Sequence, residues 1–150
     1  MKDMMIRKAF NDDVAGLAIL FNEYRIFYGK DSDVEAATIF LTERIKNLES
    51  EIFIAVSNDG SFVGFVQLYP LFSSTRMKRL WLLNDLYVHP EYRGQGVSLQ
   101  LIDKAMDLAI QTKAAGLMLE TAKNNDIGNA LYLKTGFVVD KDHNFYSWDV

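Results

Sequence analysis

The segment RGQGVS, residues 93–98, has the composition that most directly indicates chemistry in this sequence. Gly94 and Gly96 have no side-chain carbon, so the main-chain amides around them can turn inward and approach an anion closely. An apolar run precedes the segment and a helical pattern follows it, so it lies at a helix start, where negative charge is favoured. The segment therefore predicts a pyrophosphate cradle, although two glycines could also serve only as a tight turn into a helix.

Two other phosphate-binding motifs lack their required residues here. A Walker-type loop needs a Lys-Ser or Lys-Thr pair after its last glycine, whereas this sequence has Val97 and Ser98. A dinucleotide-binding fingerprint needs a third glycine at the position of Leu99. Kinase, ATPase and dinucleotide-dependent chemistry are therefore disfavoured.

The elements that position this loop are predicted from periodicity and turn residues. Strands are predicted at residues 4–8, 51–57, 61–69, 80–88, 117–121, 137–139 and 145–148. A first helix is predicted to begin with N-cap and first-turn residues at 11–13 and to end before Gly29, and further helices run from about residue 34 to 48, 96 to 113 and 126 to 135. This order, β α α β β β α β α β β, contains one parallel crossover in an otherwise hairpin-connected sheet. We therefore expect a mixed α/β fold, with a mostly antiparallel central sheet, one parallel pair and helices on both faces.

Composition and charge exclude several classes of protein. The 150 residues, 49% of them hydrophobic, are enough for one core, so we predict a single domain over residues 1–150. The net charge of -4 disfavours a nucleic-acid partner. Cysteine is absent, which removes thiol nucleophiles and thiolate metal sites. The N-terminus lacks a long apolar stretch, so we expect a cytoplasmic protein with no membrane partner.

Two longer segments resemble the motifs of the GNAT superfamily, the acetyl-CoA-dependent N-acetyltransferases. LNDLYVHPEYRGQGVSLQLIDKAMDLA is similar to the family's signature strand, pyrophosphate loop and helix. NNDIGNALYLKTGF resembles its second motif, in which an Asn is followed seven residues later by a Tyr and then by Lys-x-Gly-Phe. Two positions depart from the family's pattern: Ser98 stands where Gly or Ala is frequent, and Gly128 replaces a common Ala in the later helix. The resemblance implies the family's fold and an acyltransferase that uses acetyl-CoA as cosubstrate and no metal.

The resemblance also implies where acetyl-CoA binds. The main chain of residues 86–88 would hydrogen-bond the pantetheine arm, and the amides of residues 93–98 would hold the pyrophosphate, with added charge from Arg93. The residues implied to contact the cosubstrate are Leu86, Tyr87, Val88, Arg93, Gly94, Gln95, Gly96, Val97, Ser98, Asn125 and Tyr132. Asn125 also fits a helix N-cap, and the two roles are compatible.

Acetyl transfer needs a neutral amine, a stabilised oxyanion and a proton for the departing thiolate. Tyr132 matches the family's tyrosine that protonates the thiolate, although a core tyrosine on a helix would look the same. Glu120 ends the second strand of the crossover, where some family members carry a catalytic glutamate, and it is the predicted general base. Asp85, in the middle of the preceding strand, or a water molecule is the alternative, and His89 and His143 are weaker candidates.

In the resembled fold, the first two helices and the strand loops shape the acceptor pocket. These parts carry Tyr24, Phe27, Tyr28, Asp31, Asp33, Glu35, Tyr69 and Phe72. Aromatic faces with nearby acids would suit a cationic primary amine on a small molecule, or a lysine or N-terminal amine of a protein. Tyr24 and Tyr28 also fit a core stripe, and the acids fit caps and surface.

Two questions stay open at this point. A non-catalytic acyl-CoA-binding or regulatory module on the same fold is the alternative to an enzyme, because a fold does not guarantee chemistry. Members of the resembled family commonly form homodimers, but nothing in this sequence locates an interface.

Overall fold

The computed structural model describes residues 4–150. The chain divides into two compact units, Met1–Glu120 and Thr121–Val150. The elements of the first unit are, in chain order, β1 (Met4–Lys8), a 3-10 helix (Asn11–Asp13), α1 (Val14–Phe27), α2 (Val34–Lys46), β2 (Glu51–Ser57), β3 (Phe62–Ser73), β4 (Lys78–Val88), a second 3-10 helix (Pro90–Tyr92), α3 (Val97–Gln111) and β5 (Gly116–Met118). The second unit contains α4 (Asp126–Lys134).

The first unit is built on a sheet with the strand order β1-β2-β3-β4-β5. The strands β1 to β4 pair antiparallel with their neighbours, whereas β4 and β5 pair parallel. The helix α3 connects the parallel pair, because parallel strands need a crossover of this length. The predicted mixed α/β class, with one parallel crossover in a mostly antiparallel sheet, is confirmed.

Helices cover both faces of this sheet. On one face, Ile54 and Phe65 pack in a core with α1 and α2. On the other face, α3 lies close to β3 at Gly64. A side-chain carbon added there would lie 3.0 Å from the carbonyl oxygen of Tyr87 and 3.3 Å from Cδ1 of Leu101. Glycine at this position therefore lets the helix approach the strand.

The parallel pair is short. It begins at Leu80, which lies opposite Gly116, and ends at Leu82, which lies opposite Met118. The strand β4 continues to Val88, paired on its other side with β3. Beyond Leu82 the two parallel strands separate, so the side of β4 that faces β5 has no neighbouring strand in the described part of the sheet.

A β-bulge in β4 lies at the point where the strands separate. Gln67 of β3 lies opposite Asp85, but the next residue, Leu68, lies opposite Leu83. Asn84 is therefore an extra residue on β4. A bulge of this kind bends its strand and re-aims the neighbouring side chains.

The strand boundary predicted at Pro70 is wrong. The sequence predicts that Pro70 ends the second hairpin strand and that a loop follows, but β3 runs through Pro70 to Ser73 and β4 begins at Lys78. The strand β2 pairs with β3 only as far as Leu68. At Pro70 one side of β3 is therefore free of a neighbour, and the missing N–H there removes no ladder hydrogen bond.

The C-terminal strands predicted at residues 137–139 and 145–148 are not formed. The second unit, all of which is described, offers no other strand to pair with, and an isolated short hairpin is marginal in water. The Asp140 carboxylate instead accepts hydrogen bonds from the main-chain N–H groups of Asp142 and His143, which makes a local turn. The strand predicted at residues 117–121 is also shorter, at Gly116–Met118.

Within residues 4–150, no helix combines the length and the apolar character needed to cross a bilayer.

An ion pair ties β1 to the start of α1. Both guanidinium Nη atoms of Arg7 donate to the Asp13 carboxylate at 2.8 Å. The main-chain N–H of Phe10 also donates to Asp13, at 2.8 Å. The Arg7 hydrogen bonds, followed by that of Phe10, hold the pKa of Asp13 below its usual value.

We expect Asp13→Asn to lower the free energy of unfolding by about 0.5 to 1 kcal/mol at neutral pH, because it removes the charge from this pair. Since the pKa of Asp13 is lower in the folded state, its stabilisation is present above about pH 4 and is lost as the pH falls through the lowered pKa. Urea unfolding at a series of pH values measures the difference. Asp12→Asn, an exposed neighbour with the same change of charge, is the control. An equal loss in both variants would contradict this role of the pair.

Candidate active site

The loop between β4 and α3 has the backbone that its glycines predict. Gly94 and Gly96 adopt left-handed φ angles of 71° and 79°. Gly96 is the N-cap of α3, and no side chain caps this helix. The first N–H groups of a helix have no partner within the helix, so those at residues 97–99 are available to an anion.

The side chains of the loop hold it to the rest of the first unit. Nε of Arg93 donates to the carbonyl oxygen of Val88 at 2.9 Å, and its guanidinium lies 5.3 Å from the ring centroid of Phe27 and 5.5 Å from that of Tyr87. Nε2 of Gln95 donates to the carbonyl oxygen of Glu91 at 3.1 Å. The loop is therefore braced by its own chain, with the positive charge of Arg93 next to it.

The main chain of β4 presents alternate residues to the gap beside β5. The N–H of His89 donates to Val63 in β3 at 2.8 Å. Since N–H and C=O groups point to opposite sides at successive residues of a strand, Tyr87 also bonds toward β3, and Leu86 and Val88 point into the gap. Of the three main-chain positions predicted to bind the pantetheine arm, Leu86 and Val88 can therefore face a ligand in the gap. The carbonyl oxygen of Val88 already accepts a hydrogen bond from Arg93.

A cavity of about 490 Å³ lies between α1, α2 and the β3–β4 pair. Its walls are mostly apolar and aromatic, with a carboxylate at one place and two cations at others. The lining residues are Phe21, Tyr24, Arg25, Tyr28, Lys30, Ala36, Ala37, Phe40, Tyr69, Asn84 and Asp85. The rings pack on one another: Phe21 stacks on Phe40 at 5.9 Å, and Tyr24 meets Tyr28 edge-on at 5.0 Å.

Asp85 is the carboxylate of this cavity, and only 5% of it is exposed. Nε2 of Gln67 donates to one carboxylate oxygen at 2.8 Å and Nδ2 of Asn84 to the other at 3.1 Å. Gln67 is fully buried, and its Oε1 accepts from the Ser50 hydroxyl at 2.9 Å. Within residues 4–150, Asp85 makes no ion pair. Two side-chain amides therefore hold a buried carboxyl group in place on β4.

Tyr69 lies beside this carboxylate. Burial raises the pKa of the Tyr69 hydroxyl to about 12, and the negative charge of Asp85 adds to the rise. The hydroxyl is therefore neutral at physiological pH and can donate a hydrogen bond in the cavity.

Glu120, the predicted general base, is an exposed residue at the end of the first unit. It follows Met118, the last paired residue of β5, by two positions, and Asp85 follows the opposite residue, Leu82, by three. Both carboxylates therefore lie where β4 and β5 have separated. They differ in burial, since Asp85 is enclosed and Glu120 is open to solvent.

In the second unit, Asn125 caps α4. Its Oδ1 accepts from the N–H of Gly128 at 3.1 Å, and its Nδ2 donates to the Thr121 hydroxyl at 2.9 Å. A side-chain carbon at Gly128 would overlap the Asn125 side chain, which explains the glycine there. The N-cap role of Asn125 is confirmed, and its contact with the cosubstrate stays a prediction.

Tyr132 lies half-buried on α4. Gly136 follows the helix with a φ of 98°, which reverses the chain and brings the Phe137 ring edge-on to Tyr132 at 5.8 Å. The N–H of Phe137 also donates to the Tyr132 carbonyl at 3.0 Å. The Lys-x-Gly-Phe sequence therefore orients the tyrosine ring.

Only some of the predicted acceptor residues line the cavity. Tyr24, Tyr28 and Tyr69 do, and the remaining five have other surroundings. Phe27 packs against Arg93, Phe72 against Arg79, Asp33 caps α2 through the N–H of Ala36, and Asp31 and Glu35 are exposed. Arg25, Lys30, Asn84 and Gln67 are not among the residues predicted from the sequence. Gln67 has a visible signal, since it is the one polar residue in the apolar strand FVGFVQLY.

The two histidines lie outside this cavity. His89 lines a second cavity of about 430 Å³ with Glu23 of α1, and its Nε2 lies 4.0 Å from the Glu23 carboxylate. His143 contacts Asp140 in the second unit at 2.9 Å. Among residues 4–150, no cluster of three or more His, Asp or Glu side chains could hold a metal ion.

Left-handed glycines at an uncapped helix start, next to the open side of a strand, suit a protein that binds a compound with a pyrophosphate group. A sequence model described as the acetyltransferase (GNAT) family matches residues 14–137. The chain belongs to this family.

Individual relatives agree with this assignment. The chain is 44% identical over 147 residues, 98% of each chain, to YhfO of Bacillus subtilis, named as an N-acetyltransferase. It is similar to the crystal structure of a probable acetyltransferase, with a TM-score of 0.93, 36% identity and 97% of each chain covered. It shares its fold alone with an aminoglycoside N-acetyltransferase solved in complex with CoA, at a TM-score of 0.82 and 19% identity, with 100% of this chain and 97% of that chain covered.

The protein is therefore an N-acetyltransferase that uses acetyl-CoA as its cosubstrate. Its residues fit this compound. The left-handed glycines and the uncapped start of α3 suit a pyrophosphate, and the open side of β4 suits an amide-bearing arm.

We expect Gly96→Ala to weaken acetyl-CoA binding by about tenfold, because a left-handed alanine costs about 1 to 2 kcal/mol and its relief would shift the loop amides. Titration calorimetry with CoA measures the dissociation constant. Gly116→Ala is the control, since Gly116 has no positive φ and an added carbon there would have no heavy atom within 4 Å. Equal weakening in both variants would contradict the role of the loop.

Proposed function

We propose that this protein transfers the acetyl group of acetyl-CoA to a primary amine that is cationic before it reacts, and that the acceptor binds with its ammonium at Asp85. The acceptor is a small-molecule amine or a lysine or N-terminal amine of a protein. The observation that carries this proposal is the buried Asp85 carboxylate, which faces a cavity with aromatic walls and has no cationic partner within residues 4–150.

Burial of a carboxylate without a cation is costly, and the two amide donors on Asp85 offset only part of that cost. An ammonium group in the cavity would supply the positive charge that the Asp85 carboxylate lacks. The faces of Tyr24, Tyr28 and Tyr69 would attract the same cation. One enzyme of the same fold is named an aminoglycoside N-acetyltransferase, so this fold also serves an amine acceptor.

Acetyl-CoA supplies the acetyl group as an activated thioester. The amides at the start of α3 would hold its pyrophosphate, with Arg93 beside them. Leu86 and Val88 would orient its arm through their main-chain groups, and Asn125 is proposed as a further contact.

Two proton transfers are assigned to side chains. The ammonium must lose a proton before its nitrogen can attack, and the Asp85 carboxylate would take that proton. Attack by the neutral nitrogen forms the C–N bond and breaks the C–S bond, and the Tyr132 hydroxyl would donate a proton to the sulfur that leaves. The second proton lost by the nitrogen passes to solvent, from which the Tyr132 phenolate regains a proton. Glu120 is the competing base, because it lies near the same strand separation and is open to solvent.

We expect Asp85→Asn to lower kcat/KM for amine acceptors by about a hundredfold or more, because it removes the charge and the proton acceptor but keeps the size of the side chain. CoA binding should change little. Thiol release with an amine panel measures the activity, and circular dichroism verifies the fold. Asp103→Asn, an exposed carboxylate on α3, is the control.

Glu120→Gln decides between the two bases. A hundredfold loss in Glu120→Gln with full activity in Asp85→Asn would overturn the assignment to Asp85. Asp85→Glu keeps the charge and should retain more activity than Asp85→Asn if the carboxylate is the group that matters.

We expect Tyr132→Phe to lower kcat by about a hundredfold with CoA binding retained, because only the proton donor is removed. Thiol release under saturating substrates measures kcat, and calorimetry measures CoA binding. Tyr146→Phe, an exposed tyrosine of the same unit, is the matched control. Unchanged kcat in Tyr132→Phe would remove the hydroxyl from the reaction.

A further inference from the structure

We propose that the acceptor is a free zwitterion, with its amine at one end and a carboxylate at the other. This inference rests on the proposed function and narrows its acceptor. The observation behind it is that the cavity of Asp85 is also lined by two cationic side chains, Arg25 and Lys30.

Arg25 and Lys30 are held together at the end of α1. The main-chain N–H of Lys30 donates to the carbonyl oxygen of Arg25 at 3.0 Å. One nitrogen of the Arg25 guanidinium donates to the carbonyl oxygen of Asp31 at 3.1 Å, which restrains the side chain and leaves other N–H groups for a ligand. The two cations therefore form one local feature of the cavity.

Neither cation is neutralised by a carboxylate within residues 4–150, and neither pairs with Asp85. The contrast with Arg44 is informative, because Arg44 acts on nearby Tyr69 electrostatically but is paired with Glu43 and Glu49. Arg25 and Lys30 thus differ from Arg44, because they line the cavity and make no ion pair within residues 4–150.

The opposite charges of the cavity lie at different depths. Asp85 is 5% exposed, Arg25 is half-buried and Lys30 is exposed, so the negative charge lies deep and the positive charge extends to the opening. The rest of the lining is mostly apolar and aromatic and includes Phe21 and Phe40. A compound that fits these charges and this lining has an ammonium, an apolar part and an anionic end.

This arrangement of charges favours some classes of amine acceptor over others. A diamine or polyamine would place a second positive charge near Arg25 and Lys30, where like charges repel. An internal lysine of a protein has no carboxylate to offer. An amine with a terminal carboxylate would form charge-assisted hydrogen bonds with the Arg25 guanidinium, which matches a carboxylate in geometry.

Three acceptors of similar length test the inference. Pentylamine, aminovalerate and cadaverine share a four-carbon chain next to the amine and differ at the far end, which carries a methyl, a carboxylate or an aminomethyl group. We expect kcat/KM for aminovalerate to exceed that for each of the other two by about tenfold or more, the scale of one charge-assisted pair. Thiol release measures the rates, and titration calorimetry with the wild-type protein measures binding of each acceptor.

Charge variants test the residues. Arg25→Gln should reduce the preference for aminovalerate over pentylamine by about tenfold, Lys30→Gln should reduce it less because that side chain is exposed, and Arg25→Lys should restore part of it. Arg76→Gln is the matched control. Arg76 lies in the β3–β4 turn and does not line the cavity, so its loss should leave the preference unchanged.

The outcomes separate the two proposals. Pentylamine or cadaverine reacting as well as aminovalerate, or an unchanged preference in Arg25→Gln, would overturn the inference and leave the proposed function standing. Binding of aminovalerate in preference to the other two, without acetylation, would support the inference and contradict the proposed function. Absence of both binding and reaction for all three acceptors would overturn both.

Discussion

The site depends on the early separation of β4 from β5. The parallel pair ends at Leu82, six residues before β4 itself ends at Val88. Main-chain N–H and C=O groups on the open side still need hydrogen-bond partners, since unpaired backbone groups are costly when water is excluded. Arg93 satisfies one of them from the loop that follows. The remaining main-chain groups on the open side of β4 lie just before the glycine loop. The separation of the two strands therefore places an open strand edge next to the anion cradle.

The same region of β4 supports the acceptor cavity. The bulge at Asn84 sets Asp85 opposite Gln67, and the buried Gln67 is itself fixed by Ser50. A side chain anchored on two paired strands moves less than one on a loop, and a catalytic carboxylate needs that precision. The separation and the bulge are adjacent along β4. In the proposed function, the strand would therefore serve the cosubstrate with its main chain and the acceptor with a side chain.

The sequence predicts those parts of the site that depend on local backbone chemistry. Gly94 and Gly96 adopt the left-handed angles that their position in a loop requires, and Asn125 caps the helix that follows it. The importance of Asp85 is harder to predict, because its burial and its contact with Gln67 come from the pairing of β3 with β4. Gln67 and Asp85 are 18 residues apart in the sequence. Periodicity along one strand cannot reveal which side chain on the next strand it will meet.

The departures from prediction have the same origin. Proline usually ends a strand because it lacks a donor, but at Pro70 one side of β3 has no neighbour and the donor is not needed. The apolar alternation after α4 predicts strands, yet a strand also needs a partner, and the second unit contains none. In each case the structure depends on the presence or absence of a neighbouring strand, which the pattern of one segment does not contain.

The charges of the cavity bear on catalysis as well as on selection. A ligand with opposite ends has two ways to enter, and only the one with its amine near the separation of β4 and β5 can react. The buried Asp85 repels a carboxylate and attracts an ammonium, while Arg25 and Lys30 do the reverse nearer the opening. Because the lining is mostly apolar and aromatic, these charges act in surroundings of lower dielectric constant than bulk water. The cavity would therefore orient a zwitterion before reaction, and reduced orientational freedom lowers the barrier to attack.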